Sequence, residues 1–203
     1  MKKIILSAVL LVGLGLTQVN AQSLDYGVKA EANVSNFILD DMGNAKSEMR
    51  EGMSLGGFAK IDFSEYFAIQ PELLFHFQNS KMKVNGVKDD FQYWGIEIPL
   101  YAVGQMKLPN NERAYIGIGP YGRFGFSAEN TTNNINLYKK NGGRDPFMQR
   151  WDLGVGAMIG YEFGFGMQIN AGYKYGFINA LDADSDNSSM NNQLISLGIG
   201  YGF

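Results

Sequence analysis

The chain has 203 residues, among them 26 Gly, 14 Phe, 11 Tyr and 2 Trp, with a formal net charge of -3 and a mean hydropathy of -0.15. It has no Cys and a single His, which excludes disulfides, thiolate chemistry, a lipid-modified cysteine and a multi-histidine metal centre. The acidic balance, with a pI near 5.2, leaves no global basic footprint for nucleic acid. Abundant Gly beside abundant aromatics argues against a helical protein, because Gly in a helix interior costs about 1 kcal/mol relative to Ala.

Met1-Lys2-Lys3 is a basic start, and Ile4 to Leu16 is an apolar run of 13 residues, short of the ~20 that cross a bilayer as a helix. Val19-Asn20-Ala21 then offers small residues at positions -3 and -1 of a cleavage site. Residues 1–21 therefore read as a cleaved secretory signal, with Gln22 as the mature start and 22–203 as the working domain. Its removal takes Lys2 and Lys3 and no acid, leaving 15 basic residues against 20 acidic ones.

From there a period of two governs the chain. Tyr26, Val28, Ala30, Ala32 and Val34 alternate with Asp25, Gly27, Lys29, Glu31 and Asn33. The same alternation recurs near 54–63, 69–78, 94–103, 114–126, 151–163, 167–177 and 194–203. These are eight predicted strands of roughly 10–13 residues, the length a tilted membrane strand needs. The connections alternate as well. Those near 37–52, 79–91, 128–149 and 178–192 are long and polar, whereas 64–66, 109–112 and 164–165 are short. Outer-membrane barrels have that asymmetry, with short periplasmic turns and long outer loops.

With both termini in the periplasm, the aromatics sort by height. Trp94, Trp151, Phe75, Phe77, Phe124, Phe126, Tyr175 and Phe177 fall near the outer ends of their strands. Tyr26, Phe63, Phe67, Phe163, Phe165, Tyr201 and Phe203 fall near the periplasmic ends, and Ile, Leu, Val and Ala fill the middle. Two girdles around an aliphatic band suit two lipid–water interfaces, and a soluble core has no reason to sort aromatics by height. The expected fold is an all-β, eight-stranded antiparallel transmembrane up-and-down barrel. No water in hydrocarbon can satisfy a sheet edge, so the sheet must close. Inward Gly117, Gly119, Gly154, Gly156, Gly198 and Gly200 are expected to make room for inward Tyr115, Tyr121, Phe58 and Arg123.

Four stretches on these strands carry a resemblance. They are Gly27-Val28-Lys29-Ala30 through Ser35-Asn36, Gln70-Pro71-Glu72-Leu73-Leu74-Phe75, Ile96-Glu97-Ile98-Pro99-Leu100, and Gly117-Ile118-Gly119-Pro120-Tyr121. Together they resemble the PorT-like outer-membrane barrel family common in Bacteroidetes, over about residues 24–203. Glu31 departs from that pattern, which often has Gly there. The resemblance implies an outer-membrane location and supplies no catalytic residues. The closing Tyr201-Gly202-Phe203 is similar to the terminal-aromatic signal read by barrel-assembly machinery, with Phe203 as its last residue.

The opposite parity of the strands holds the charge. Lys29, Glu31, Lys60, Asp62, Glu72 and His76 point inward, as do Glu97, Arg123, Asp152, Glu162 and Lys174. Eight strands enclose a lumen that side chains fill, and charges there must be paired. Glu72 and Glu97 are a pair of carboxylates of the kind acid/base catalysis uses. The favoured reading is that they form a plug with Lys60 and Arg123. His76 has no second histidine for a metal, and no G-x-S-x-G elbow is present, so no enzyme activity is expected. Asp182, Asp184 and Asp186 imitate the start of a calcium loop, but Asn187 and Gln193 stand where Gly and Glu are required. They read as a solvated acidic loop, with a weak Ca²⁺ site as the alternative. Lys139, Lys140, Arg144 and Arg150 lie at the height of lipid-A phosphates and read first as a solvated loop.

The expected role is therefore non-enzymatic and structural or interactive, with no cofactor. The expected partners are outer-membrane lipid or lipopolysaccharide, the assembly machinery during biogenesis and a protein of the same membrane. Two alternatives stand beside it: an accessory subunit of an outer-membrane secretion or assembly complex, and a narrow pore or small-molecule- or lipid-binding barrel.

Overall fold

The structure, a computed structural model, describes residues 23–40, 50–84, 87–130, 135–136, 150–178 and 189–203. The signal segment, the acidic residues 182–186 and the basic residues 139, 140 and 144 lie outside the described residues. Among the described residues, nine strands follow in order: β1 Ser23–Asp40, β2 Arg50–Asp62, β3 Phe67–Val84, β4 Val87–Lys107, β5 Arg113–Asn130, β6 Ile135–Asn136, β7 Trp151–Glu162, β8 Met167–Gly176 and β9 Ser189–Gly202. Eight of them close into a ring in which every neighbour is antiparallel and β1 pairs β9. β6 stands outside the ring, paired only with Glu129 and Asn130 at the end of β5. The expectation of an eight-stranded antiparallel barrel holds.

The alternation that defined the strands decides which way each side chain points. On β1, Lys29, Glu31, Asn33 and Ser35 are buried, and Tyr26, Val28 and Val34 are exposed. On β9, Leu194 and Ser196 are buried between exposed Ile195, Leu197 and Ile199. The wall thus turns apolar side chains outward and polar ones inward, the inverse of a soluble protein.

The strands run further than the apolar pattern. The segment 79–91, expected as a long polar loop, continues the ladder as a hairpin from Asn79↔Gln92 to Val84↔Val87. β1 also continues to Asp40 against Ser189, which shortens the connection after β1 and the one before β9. Backbone pairing needs no apolar face, so the ladder continues where the period of two fades.

At the end carrying Ser23 and Phe203, the connections are tight. Gly166 takes φ +93 in the turn after β7, a conformation that favours glycine. Its N–H donates to Phe163 O at 2.9 Å, and its own carbonyl accepts from Gly202 N–H at 2.9 Å. One further glycine sets how closely two strands approach. A Cβ on Gly119 would lie 1.9 Å from the Leu100 carbonyl oxygen, which is backbone and cannot swing aside. Gly119→Ala is therefore expected to destabilise the barrel by about 1–3 kcal/mol through overpacking. Gly104→Ala, whose Cβ would meet nothing nearer than 3.8 Å, is expected to leave stability unchanged. Unfolding midpoints of the two variants in the same detergent check the contrast.

Candidate functional site: the filled lumen

The lumen is stacked in three layers. In the half away from the chain termini, Glu97 on β4 is the hub. Its Oε2 accepts from Arg123 Nη2 at 2.6 Å and Nε at 3.1 Å, and its Oε1 takes the Lys174 ammonium. Lys29 lies 2.9 Å from Glu31 and 3.1 Å from Glu72, and Gln70 donates to Glu72 at 2.7 Å. Lys174 reaches Glu31 as well, at 3.9 Å, so the two clusters share one set of charges. Three cations face three carboxylates, all nine-tenths or more buried. Asp152 adds a fourth carboxylate at the mouth, 3.8 Å from Arg123 and accepting from Tyr121 OH at 3.2 Å.

Below this lies an apolar layer of Ala68, Tyr101, Val103, Tyr115 and Met158. The third layer closes the end that carries the termini. Lys60 pairs with Glu162 at 3.2 Å, and Arg113 lies 3.3 Å from Asp25, 3.4 Å from Asp62 and 3.7 Å from Glu162. Gln105 donates to Asp62 at 2.9 Å.

The plug expected from Glu72, Glu97, Lys60 and Arg123 is corrected in its membership. Glu97 and Arg123 meet, but Glu72 binds Lys29, and Lys60 sits in the other polar layer with Glu162. Stagger around the ring shifts heights between strands, and no single strand's alternation reveals it. The inward glycines also divide by role. Gly154 lies against the Tyr121 ring as expected, but Gly119 meets the Leu100 backbone, and Gly117 and Gly156 make room for Met158, Tyr101 and Lys174. Gly200 lies 3.6 Å from the Phe58 ring, as expected, and Arg123 is not among the three nearest neighbours of any of the six.

The sequence reading missed Ser54. Its Oγ lies 2.8 Å from His76 Nδ1, and His76 Nε2 lies 3.2 Å from Glu97 Oε2. Hydroxyl, imidazole and carboxylate in line is the order of a nucleophile, its base and an orienting acid. The arrangement here is consumed from all sides. Asn33 Nδ2 donates to Ser54 Oγ at 2.9 Å, Glu97 already binds two cations, and Ser54 and His76 are 3% and 1% exposed. Ser54, His76 and Glu97 thus form an enclosed line inside the buried network, joined by a hydrogen bond at Ser54–His76 and by proximity at His76–Glu97. Ser54 was on the polar parity of β2, but only the cross-strand register puts it opposite His76.

The outer wall carries the aromatic bands. At the far end, Phe77 packs on Trp94 at 4.6 Å, Phe124 on Trp151 at 4.7 Å and Tyr175 on Phe177 at 5.7 Å between ring centres. At the other end, Tyr26 and Tyr201 pack on Phe203, Phe63 on Phe67, and Phe163 on Phe165. Between the bands the exposed side chains are mostly aliphatic, among them Leu55, Ile98, Ile116, Ile118 and Leu197, with Tyr173 as an exception.

A closed antiparallel ring with an inverted wall is matched by one family model, described as "Outer membrane protein beta-barrel domain", over residues 20–182. The chain belongs to this family. Solved outer-membrane barrels share its fold. Pseudomonas aeruginosa OprG aligns with 88% of this chain and 96% of its own at a TM-score of 0.55 and 13% identity. Neisserial surface protein A aligns with 89% and 99% at 0.52 and 16% identity. Ail, the attachment invasion locus protein of Yersinia pestis, determined with the heparin analogue sucrose octasulfate, aligns with 89% and 99% at 0.50 and 12%. No curated protein matches the chain in sequence. In this outer-membrane barrel the described residues hold no cluster of three or more His, Cys, Asp and Glu arranged for a metal ion.

Proposed function

We propose that the protein is a non-enzymatic barrel of the bacterial outer membrane that acts by presenting surfaces rather than by conducting or turning over a substrate. It is exported by the signal in residues 1–21, and its termini face the periplasm. The observation that carries this reading is the lumen. Lys29, Lys174 and Arg123 share Glu31, Glu72 and Glu97 across five strands, with every member buried. A path for ions or solutes would have to break these pairs, and freeing one buried charge is strongly unfavourable.

With the interior committed, the wall and the long-loop end remain for partners. Those partners are lipid or lipopolysaccharide at the wall and a protein of the same membrane. The terminal Phe203 serves the assembly machinery during biogenesis. The PorT-like character of the motifs on β3, β4 and β5 supports a narrower version, in which the protein partner is a secretion or assembly complex. Co-purification from native membranes in mild detergent tests that version, and recovery of the barrel alone counts against it.

Purified protein in planar bilayers is expected to give no stable conductance. A steady nanosiemens-scale opening would defeat the reading in favour of a pore.

A further inference from the structure

At the end that carries the termini, a cleft of about 580 Å³ runs down to the ion layer. That volume lies in the range of small-molecule sites. Its wall is mixed: Asp25, Glu162 and Arg113 supply charge, and Phe58, Phe163 and Tyr201 supply aromatic rings.

The charges of this layer do not balance. Arg113 is shared by three carboxylates, at 3.3 Å from Asp25, 3.4 Å from Asp62 and 3.7 Å from Glu162. Lys60, the other cation of the layer, turns to Glu162 at 3.2 Å. Two cations therefore serve three carboxylates. Lys107 at the rim leaves the difference standing, because it is half-exposed and has Glu65 at 3.8 Å. Hydrogen-bond acceptors are in excess as well. Gln105 donates to Asp62 at 2.9 Å, but its own buried Oε1 has no donor among the described residues. Asp25 is the most open of the three acids, with a side chain 34% exposed against 7% for Asp62 and 14% for Glu162.

An anion reaching Arg113 would meet the carboxylates that surround it. A cation restores the balance, in a cleft whose apolar walls concentrate the field of the unpaired charge. The rings say which kind of cation. A bare metal ion leaves them unused, and the described residues hold no cluster arranged for one. An ammonium on an apolar body uses both halves of the wall, through hydrogen bonds to the carboxylates and contact with the rings. The fold already contains that pairing, since the Lys60 ammonium lies 5.5 Å from the centre of the Tyr115 ring.

We propose that the cleft is a binding site for a primary amine with an apolar body: the ammonium donates to Asp25 and Glu162, and the body lies against Phe58, Phe163 and Tyr201.

Titration of the unaltered protein with phenethylammonium in a non-ionic detergent, followed by amide NMR, tests the site. Saturable shifts are expected at Gly166, Gln168 and Gly202, which line the cleft, and none at Gly95 and Gly125, paired at the other end of the barrel. The neutral phenethyl alcohol and the anion phenylacetate are expected to bind about tenfold or more weaker, the effect of losing a charge-assisted hydrogen bond. Asp25→Asn is expected to weaken the amine by a similar factor. Glu51→Gln removes an exposed acid from the opposite end of β2 and is expected to change nothing. Phosphatidylethanolamine added to the micelles separates two sources of the amine. Displacement of the probe assigns the site to a lipid headgroup, and its retention assigns it to a soluble amine; the proposed chemistry stands in both cases. Absence of a saturable shift in the unaltered protein overturns the proposal. So does equal binding of phenethylammonium and phenylacetate, or equal weakening by Asp25→Asn and Glu51→Gln.

Discussion

Glu97→Ala is expected to lose about 3–5 kcal/mol of folding stability, the effect of removing one partner from a buried ion pair. The carboxylate serves two cations at once. Without it, the nearest carboxylate among the described residues is Asp152 at 3.8 Å for Arg123, which also lies over the Tyr121 ring, and Glu31 at 3.9 Å for Lys174. Neither distance makes a hydrogen bond, so two desolvated charges are left to a low-dielectric interior. The neighbouring half of the network follows, because Lys174 would be drawn toward Glu31, which Lys29 already holds at 2.9 Å. Trp94 and Trp151, both half-exposed on the wall, report unfolding by fluorescence without added probes. The triple variant Glu97→Met, Arg123→Met, Lys174→Met removes the charges together and is expected to recover most of the loss, as apolar replacement of a whole buried ionic cluster often does. If Glu97→Ala unfolds at the same denaturant concentration as the unaltered protein, the lumen is hydrated enough to screen its charges, and the closed-lumen reading fails with it.

What the sequence made legible was the direction of each side chain. Lys29 and Val28, or Leu197 and Ser196, differ in polarity because one faces other side chains and the next faces lipid, and a period of two records that choice residue by residue. The aromatic bands were legible for the same reason, since Trp94 and Tyr201 are placed by height along their own strands. Partnership was not. Whether Glu72 meets Lys60 or Lys29 depends on the stagger across β1, β2 and β3, which no single strand's alternation records. Ser54 faced the lumen on any reading, but its place opposite His76 follows from the β2–β3 register alone. Asp25 and Arg113 were passed over because each sits at the first turn of its strand, where polar residues are ordinary. The ladder through 79–92 was hidden for the opposite reason, because backbone pairing continues there without an apolar period to read.

Leu197→Arg tests the solvent that the wall faces. Leu197 is 67% exposed, lies opposite Ala32 and Ala171, and sits between the two aromatic bands. On a soluble protein an exposed leucine exchanged for arginine changes stability by no more than about 0.5 kcal/mol. In a bilayer the same guanidinium must stay in hydrocarbon, snorkel past its neighbours or thin the membrane around it. Near the midplane of a membrane barrel this costs about 2–4 kcal/mol. Leu24→Arg supplies the internal standard. Leu24 is almost as exposed, at 62%, but it begins β1 beside the aromatic band at the end with the termini. There the charge reaches the headgroups, and the expected cost is about 0–1 kcal/mol. Both variants leave the lumen untouched, so a difference between them measures depth and nothing else. Unfolding in bilayers of two thicknesses sharpens the result. A thicker hydrocarbon layer is expected to widen the gap for Leu197→Arg and to leave Leu24→Arg unchanged. Equal costs at the two positions would mean that the inverted wall does not meet lipid where the aromatic bands place it.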